Sequence, residues 1–395
     1  MATGCLSSTN EPPFEGVSSF AGATYHTGRW PHEPVDFSGR RVGIIGTGSS
    51  SVQSIPILSG QAKELVVFQR TATYSVPARN APLDLAHEAR VKADYPGLRA
   101  RNRQMINAFG SATPRGTESA LAASPAQREN AYEARWQLGG LFYLGAFGDL
   151  ILDSAANQTA AEFVRQKIRA TVRDPAVAKL LEPTQPIGCK RLCIDSGYFE
   201  TFNRPNVRLV DLNRSPIEKF TPRGLRAGGR DYELDSVIFA TGFDAMTGAL
   251  RRIDVRGRGG RALSEKWQAG PLTYLGLGVP GFPNLFIVAG PGSPSVLTNM
   301  VVSIEQHVDW IADCIAFMRA QGKATIEASG RAEEQWVAHV NEVANRTVYP
   351  SCNSWYLGAN IAGKTRVFMP LLGFPAYAER CAEVAARGYE GFVLQ

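Results

Sequence analysis

Between two short apolar runs of the chain lies Gly46-Thr47-Gly48-Ser49-Ser50-Ser51. In such a G-x-G-x-x-small arrangement the first glycine permits a tight turn, and the second removes a side chain where backbone must approach a pyrophosphate. The third position needs only a small residue for helix–strand packing, which Ser51 can supply. The amides that open the following helix would receive the phosphate oxygens, with Gln53 one turn further on. An NAD site needs a carboxylate about 20 residues after the glycines to bind a ribose hydroxyl. Here Gln69-Arg70-Thr71 offers a guanidinium and a hydroxyl instead. Arginine grips a 2′-phosphate through charge-assisted hydrogen bonds, so Arg70 and Thr71 point to NADP. A second basic pair, Lys190-Arg191, would be read from its residue types alone as solvated.

The flanking elements suit this chemistry. Arg41-Val42-Gly43-Ile44-Ile45 is a short strand feeding the glycines, Val52 to Leu58 has helical potential, and Leu65-Val66-Val67-Phe68 is a buried strand ending at Gln69. From about Pro82 to Pro186 helical spacing dominates. Thr159 and Glu162 form a capping-box pattern there, ahead of Val164, Ile168 and Val172. Strands return at Val207 to Val210 and at Tyr232 to Ala240, joined by a hairpin around Pro222-Arg223-Gly224. A further strand is expected at Asn284-Leu285-Phe286-Ile287-Val288-Ala289-Gly290. Ser303 and Gln306 are expected to cap a helix with Ile304, Val308, Ile311, Ile315 and Met318 on one face. The architecture is α/β.

At 395 residues the chain exceeds what one hydrophobic core usually serves. Apolar residues make up 44% and charged residues 20%, which places it far from the disordered class. The net charge of +6 is scattered rather than gathered into an aromatic-laced stripe, so nucleic acid is not an expected partner. The densest basic stretch, Arg251, Arg252, Arg256, Arg258 and Arg261, is interleaved with glycine and reads as a solvated hairpin or loop. The six cysteines show no C-x-x-C pair and no companion histidines at zinc spacing, so no metal site is expected and a reducing cytoplasm is the natural home. No apolar run approaches the roughly 18 residues a membrane span requires.

A specific likeness begins at Phe20-x-Gly22-x-x-x-His26-x-x-x-Trp30-Pro31. Taken alone, His26 would more often be a hydrogen-bonded structural histidine than a catalytic one. The whole pattern, ending in Trp-Pro, resembles the signature of Baeyer–Villiger monooxygenases. The likeness continues through Gln69-Arg70-Thr71, Lys190-Arg191, Ala240-Thr241-Gly242-Phe243-Asp244, Gly290-Pro291-Gly292-Ser293-Pro294 and Ser354-Trp355-Tyr356. It covers essentially the whole chain and looks nearest to the branch that oxidises phenylacetone, steroids and related ketones.

The resemblance implies an FAD- and NADPH-dependent enzyme that inserts one oxygen atom of O2 beside a ketone carbonyl, by way of a flavin C4a-peroxide, to give an ester or lactone. It implies that Arg191 stabilises the reduced-oxygen anion and that Lys190 meets the 2′-phosphate beside Arg70. It places Thr241, Gly242, Met300 and Trp355 against cofactor, and Ser295-Val296-Leu297 along the substrate pocket. Phe20, Gly22, His26, Trp30 and Pro31 remain signature residues without a chemical step. Two Rossmann-like dinucleotide-binding domains are implied, with a helical insertion in the NADP domain. The expected division is a remnant of the FAD domain and linker at 1–29, the NADP domain at 30–81 and 190–240, the insertion at 82–189, and the C-terminal part of the FAD domain at 241–395.

The chain opens on Met1-Ala2-Thr3-Gly4, and Ala-Thr-Gly recurs at 240–242, where it ends an apolar strand. The first copy thus reads as the end of a strand whose body is absent, and with it the glycine unit that holds the FAD pyrophosphate. On that reading the FAD domain is incomplete at its N-terminus, and the isolated chain is expected to bind little FAD and to lack oxygenase activity. The alternatives are an N- or S-oxygenating flavin monooxygenase, against which Trp30-Pro31 and Arg191 argue, and a non-catalytic NADP-binding fragment. The oligomeric state is not legible, a monomer being the expectation.

Overall fold

The computed structural model describes residues 1–110 and 113–395. In chain order its strands and helices are β1 (Ala23–His26), β2 (Arg41–Ile45), α1 (Ser49–Gln61), β3 (Glu64–Gln69), β4 (Ser75–Pro77), α2 (Leu85–Ala93), α3 (Tyr95–Arg103), α4 (Pro125–Leu138), α5 (Ser154–Thr171) and α6 (Pro175–Leu181). Then follow β5 (Cys193–Asp195), α7 (Tyr198–Thr201), β6 (Val207–Asp211), β7 (Ile217–Thr221), β8 (Gly224–Ala227), β9 (Arg230–Glu233) and β10 (Ser236–Phe239). The last are α8 (Gly248–Arg251), α9 (Leu263–Lys266), α10 (Met300–Ala320), β11 (Ile326–Ala328), α11 (Gly330–Asn345), α12 (Phe374–Ala386) and β12 (Phe392–Leu394). The chain divides into two compact units. One, the sheet unit, holds Thr9–Ala81 and Thr113–Phe243; the other, the helical unit, holds Met1–Ser8, Pro82–Ala112 and Asp244–Gln395. The helical stretch that begins at Pro82 is thus shared between them, and its residues 111 and 112 lie outside the described residues.

The sheet unit is built on five parallel strands in the order β1-β10-β2-β3-β6. Side chains alternate across the pleat, and both faces are covered. Val42, Ile44, Leu65 and Val67 meet Val52, Ile55 and Leu58 of α1. Ile45, Val66 and Phe68 meet Phe20, Phe220 and Leu225 on the other side. Burial on both faces explains why these strands read as continuous apolar runs. The turn at Pro222-Arg223 joins β7 to β8 within a three-stranded antiparallel meander, β7-β8-β9, and not the two parallel strands that were expected to flank it.

Helix starts also differ from expectation. α5 begins five residues before Thr159, where the Asp153 carboxylate accepts from Ala155 and Ala156 N–H at 2.8 Å. Thr159 is interior and donates to the Ala156 carbonyl, while Glu162 pairs with Arg165 and Arg169. A carboxylate outcompetes a hydroxyl as a cap because it accepts more strongly and suits the helix dipole.

Within the helical unit, α10 is capped by Asn299, which accepts from Val301 N–H at 3.1 Å, and Ser303 is buried inside the helix, 2.6 Å from the Thr298 hydroxyl. Its buried face carries Ser303, His307, Trp310, Cys314 and Met318. Ile304, Val308 and Ile315, expected to point inward, are exposed. The run Asn284–Gly290 forms no strand. It is bracketed by left-handed Asn284 (φ 59°) and Ala289 (φ 55°), which end any extended ladder. Between them Val288 N–H donates to Met1 O at 2.9 Å and the Met1 ammonium donates to Phe286 O at 2.6 Å. The arginines from 251 to 261 are all exposed, with Arg256 on Asp254 and Arg258 on Glu327. Among the described residues no helix is long and apolar enough to cross a membrane, and no group of three or more His, Cys, Asp or Glu residues could hold a metal.

Candidate active site

The sheet unit gathers the predicted nucleotide residues at the carboxyl end of its parallel strands, where ligands of open α/β sheets bind. β2 ends at Gly46, whose φ of 109° is open to glycine, and a Cβ there would lie 2.5 Å from the Ala240 carbonyl oxygen. Gly48 is the N-cap of α1, receives no side-chain cap, and would present a Cβ to open space. The first amides of α1 are therefore left for an outside acceptor. Thr47 is buried and donates to the Thr71 carbonyl at 2.7 Å, which ties the turn to the end of β3. Gln53 donates to the Ser49 hydroxyl at 3.2 Å across one helical turn. Ser50 is exposed and Ser51 fully buried, the latter consistent with its packing position.

Three cations belong to the same unit. Arg70 is exposed, its carbonyl accepting from the Asn213 side-chain amide at 2.7 Å. Lys190 is half-buried, and burial first and the Arg70 charge second push its ammonium below the usual lysine range. Two cations near enough to repel are an arrangement that a bound dianion relieves. Arg191 is exposed, and its carbonyl accepts from the Cys193 thiol at 3.6 Å. Cys193 was not foreseen. Burial pushes its thiol up to about 11 against the opposing effects of Ser49 and Arg191, which places an inert thiol close to both. Nothing in its spacing marked it, because contact with Ser49 spans 144 residues of chain.

The signature motif folds into a hydrogen-bonded joint. His26 is buried; its Nδ1 accepts from Gly28 N–H at 3.0 Å and its Nε2–H donates to Asn10 O at 3.2 Å. Thr241 also donates to Asn10 O and lies 3.3 Å from Nε2. Because Nδ1 accepts a hydrogen bond it carries no proton, so the imidazole is neutral, and burial lowers its pKa. Trp30 stacks near Tyr25 and Phe37 with ring centres 5.4 and 6.1 Å away. Phe20 is core, and Gly22 leaves no room for a side chain beside Phe20 and the Asp235 carbonyl. Pro31 follows Trp30 in the loop and Gly242 (φ 81°) follows Thr241.

The helical unit gathers the remaining predicted residues. Val296 is buried with Met246, Tyr349, Tyr356 and Phe368, and Leu297, Met300 and Trp355 pack against the same cluster. The Ser295 hydroxyl points to the Met246 sulfur at 3.9 Å. Trp355 lies 4.2 Å from the Tyr356 ring. Lys364, which no motif singled out, meets Asp244 at 2.5 Å and the Ala245 carbonyl at 2.7 Å. A cavity of about 590 Å³ elsewhere in this unit is lined by Tyr274, Trp336, His339, Leu371 and Tyr377 and includes none of the predicted site residues.

No family model matches the chain. A Baeyer–Villiger monooxygenase of Pseudooceanicola batsensis is 43% identical over 394 residues, spanning 99% of this chain and 71% of that relative. The solved structure of a steroid monooxygenase bound to NADP shares 51% identity at a TM-score of 0.92, over 99% of this chain and 73% of its own. The chain belongs to the Baeyer–Villiger monooxygenase family. The crystal structure of OTEMO in complex with FAD and NADP matches at a TM-score of 0.95 and 38% identity, over 100% of this chain and 74% of that one. OTEMO is solved with both FAD and NADP, and the mixed α/β fold with a parallel sheet is the one found here. The relatives establish the family without favouring its phenylacetone-oxidising branch.

Proposed function

We propose that this Baeyer–Villiger monooxygenase uses NADPH, FAD and O2 to insert one oxygen atom next to a ketone carbonyl, releasing an ester or lactone. The observation that carries the reading is the convergence of Lys190 and Arg70 in the unit whose uncapped α1 start follows the Gly46 turn. That set fits NADP: helix amides for the pyrophosphate, two cations for the 2′-phosphate, and no side chain at Gly48 to obstruct approach. NADPH bound there supplies the hydride. Thr47 and Thr71 keep the turn and the end of β3 together, and Gln53 orients Ser49.

Arg191 holds a permanent positive charge and is the residue assigned to stabilise negative charge developing on oxygen during the insertion. Thr241, Gly242, Met300 and Trp355 are assigned to cofactor contact, and Ser295, Val296 and Leu297 to the ketone pocket. Among the described residues the one named strand pair of the helical unit is antiparallel, β11 with β12. The sheet unit is read as the NADP domain and the helical unit as carrying the pocket. We place the protein in the cytoplasm as a monomer with no nucleic-acid partner.

The test has two arms. NADP and NAD binding are titrated by calorimetry, with NADP expected to bind at least about tenfold tighter through Arg70. The protein supplied with saturating FAD, NADPH and a panel of cyclic and linear ketones is assayed by mass spectrometry for products one oxygen atom heavier. Equal affinity for NAD and NADP, or ester yields unchanged by Arg191→Ala, would overturn the reading.

A further inference from the structure

Deep in the helical unit a chain of side chains joins two residues held in the left-handed region. Ala289 (φ 55°) donates its N–H to His307 Nδ1 at 2.9 Å. His307 Nε2 lies 2.8 Å from the Tyr377 hydroxyl, which in turn donates to the Leu275 carbonyl at 2.8 Å. Leu275 is the second left-handed residue, at φ 58°. Because the tyrosine proton goes to Leu275, Nε2 must carry the proton it shares with the phenol oxygen, and Nδ1 must be bare for Ala289. One tautomer satisfies every group. His307 is 0% exposed and Tyr377 1%.

What lies between the two ends explains why such a relay is present. Each non-glycine residue in this region costs on the order of 1–3 kcal/mol and persists only when its surroundings over-determine it. Leu275 precedes Gly276, where a Cβ would lie 2.6 Å from Ser293 N and 3.1 Å from the carbonyl oxygen of Gly290, the residue after Ala289. The segment after Ala289 is held from several sides: Thr273 donates to Pro291 O, Trp336 Nε1 to Gly292 O at 2.9 Å, and Leu371 N–H to Ser293 O at 2.9 Å. It then delivers Ser295 (φ 44°), Val296 and Leu297.

We infer that His307 and Tyr377 are positioning residues: their relay locks Leu275 and Ala289 in left-handed conformations and thereby sets the path of residues 290–297, and so the shape offered to the ketone. The last clause rests on the assignment of Ser295, Val296 and Leu297 to the pocket. His307 and Tyr377 act through backbone.

The experiment compares His307→Leu, His307→Asn and Tyr377→Phe with the unaltered protein by hydrogen–deuterium exchange and by ketone kinetics. In His307→Leu, amides of 289–297 exchange at least about tenfold faster, the effect of one lost buried hydrogen bond. Amides of residues 311–320 and of β2 and β3 keep their rates. His307→Asn keeps an acceptor oxygen near the place of Nδ1 and restores protection at Ala289. Tyr377→Phe loosens the Leu275 end and leaves Ala289 protected. With FAD and NADPH present, His307→Leu changes the ratio of KM values for a small and a bulky ketone by at least about tenfold, with kcat changed less. Uniform deprotection of the helical unit, no local change, or no rescue by His307→Asn overturns the relay. Val296→Trp separates the two claims. If it shifts ketone preference and His307→Leu does not, the relay's role falls alone; if Val296→Trp is silent, the pocket assignment falls and the specificity claim with it.

Discussion

Leu65 to Phe68 and Leu285 to Ala289 are nearly the same apolar text, yet only the first is a strand. The first lies between β2 and β6 and is bonded on both sides. In the second, Ile287 N–H donates to Leu277 O, Val288 N–H donates to Met1 O and the Met1 ammonium donates to Phe286 O, and two left-handed residues close the run off. An apolar run specifies burial; a strand also requires neighbours for its N–H and C=O groups. The same contrast runs through the chemistry. The sheet unit presents a turn, a bare helix start and three cations near the ends of ordered strands, whereas the helical unit holds residues 289–297 by side-chain clamps on irregular backbone.

Replacing a charge in the sheet unit should give the largest effect. Arg191→Ala is expected to cut ester formation by roughly 10²–10³-fold, the usual loss on removing one transition-state donor, with NADP affinity retained; product yield and calorimetry together check both halves. Next comes acid. Burial lowers the His307 pKa to about 4, so its neutral form contributes stability above the ordinary value of about 6.5, declining as pH falls toward 4, by about 3 kcal/mol in total. His26 is shifted in the same direction in the sheet unit. Exchange measured from pH 7 to 4 should therefore show the helical unit loosening first around residues 289–297; simultaneous loosening of β2 and β3 would break the contrast.

Two core truncations sharpen it further. Val67→Ala, at a fully buried site inside the sheet, should cost about 2–3 kcal/mol in urea unfolding, while Val288→Ala, only partly buried, should cost less than about 1 kcal/mol. Arg70→Ala should lower NADP affinity about tenfold and leave NAD affinity unchanged.

Much of the sheet unit was legible because its signals are local. The Gly46 turn, α1 and the strands on either side occupy one continuous stretch, and period and spacing suffice to read it. The caps and faces of α5 and α10 were misread for a related reason. Thr159 and Ser303 each have the right partner three residues on, but a neighbouring Asp153 or Asn299 starts the helix earlier. Once the start moves, the stripe that faces inward moves with it, from Ile304 and Val308 to His307 and Trp310.

The order of residues in this chain determined, by itself, the glycine turn at 46–51, a cation rather than a carboxylate just after β3 at Arg70, and the family signature from Phe20 to Pro31. Each depends on a few residues near one another along the chain or on a single residue type. Tertiary structure alone decided which nitrogen of His26 and of His307 carries its proton, that Lys364 would meet Asp244, and that Cys193 would lie close to Ser49. Those partners are far apart along the chain: 231 residues between Asn10 and Thr241, 215 between His26 and Thr241, 120 between Asp244 and Lys364, and 70 between His307 and Tyr377. Hydrogen bonds between such distant groups follow from how the strands and helices pack, and no periodicity along the chain encodes them.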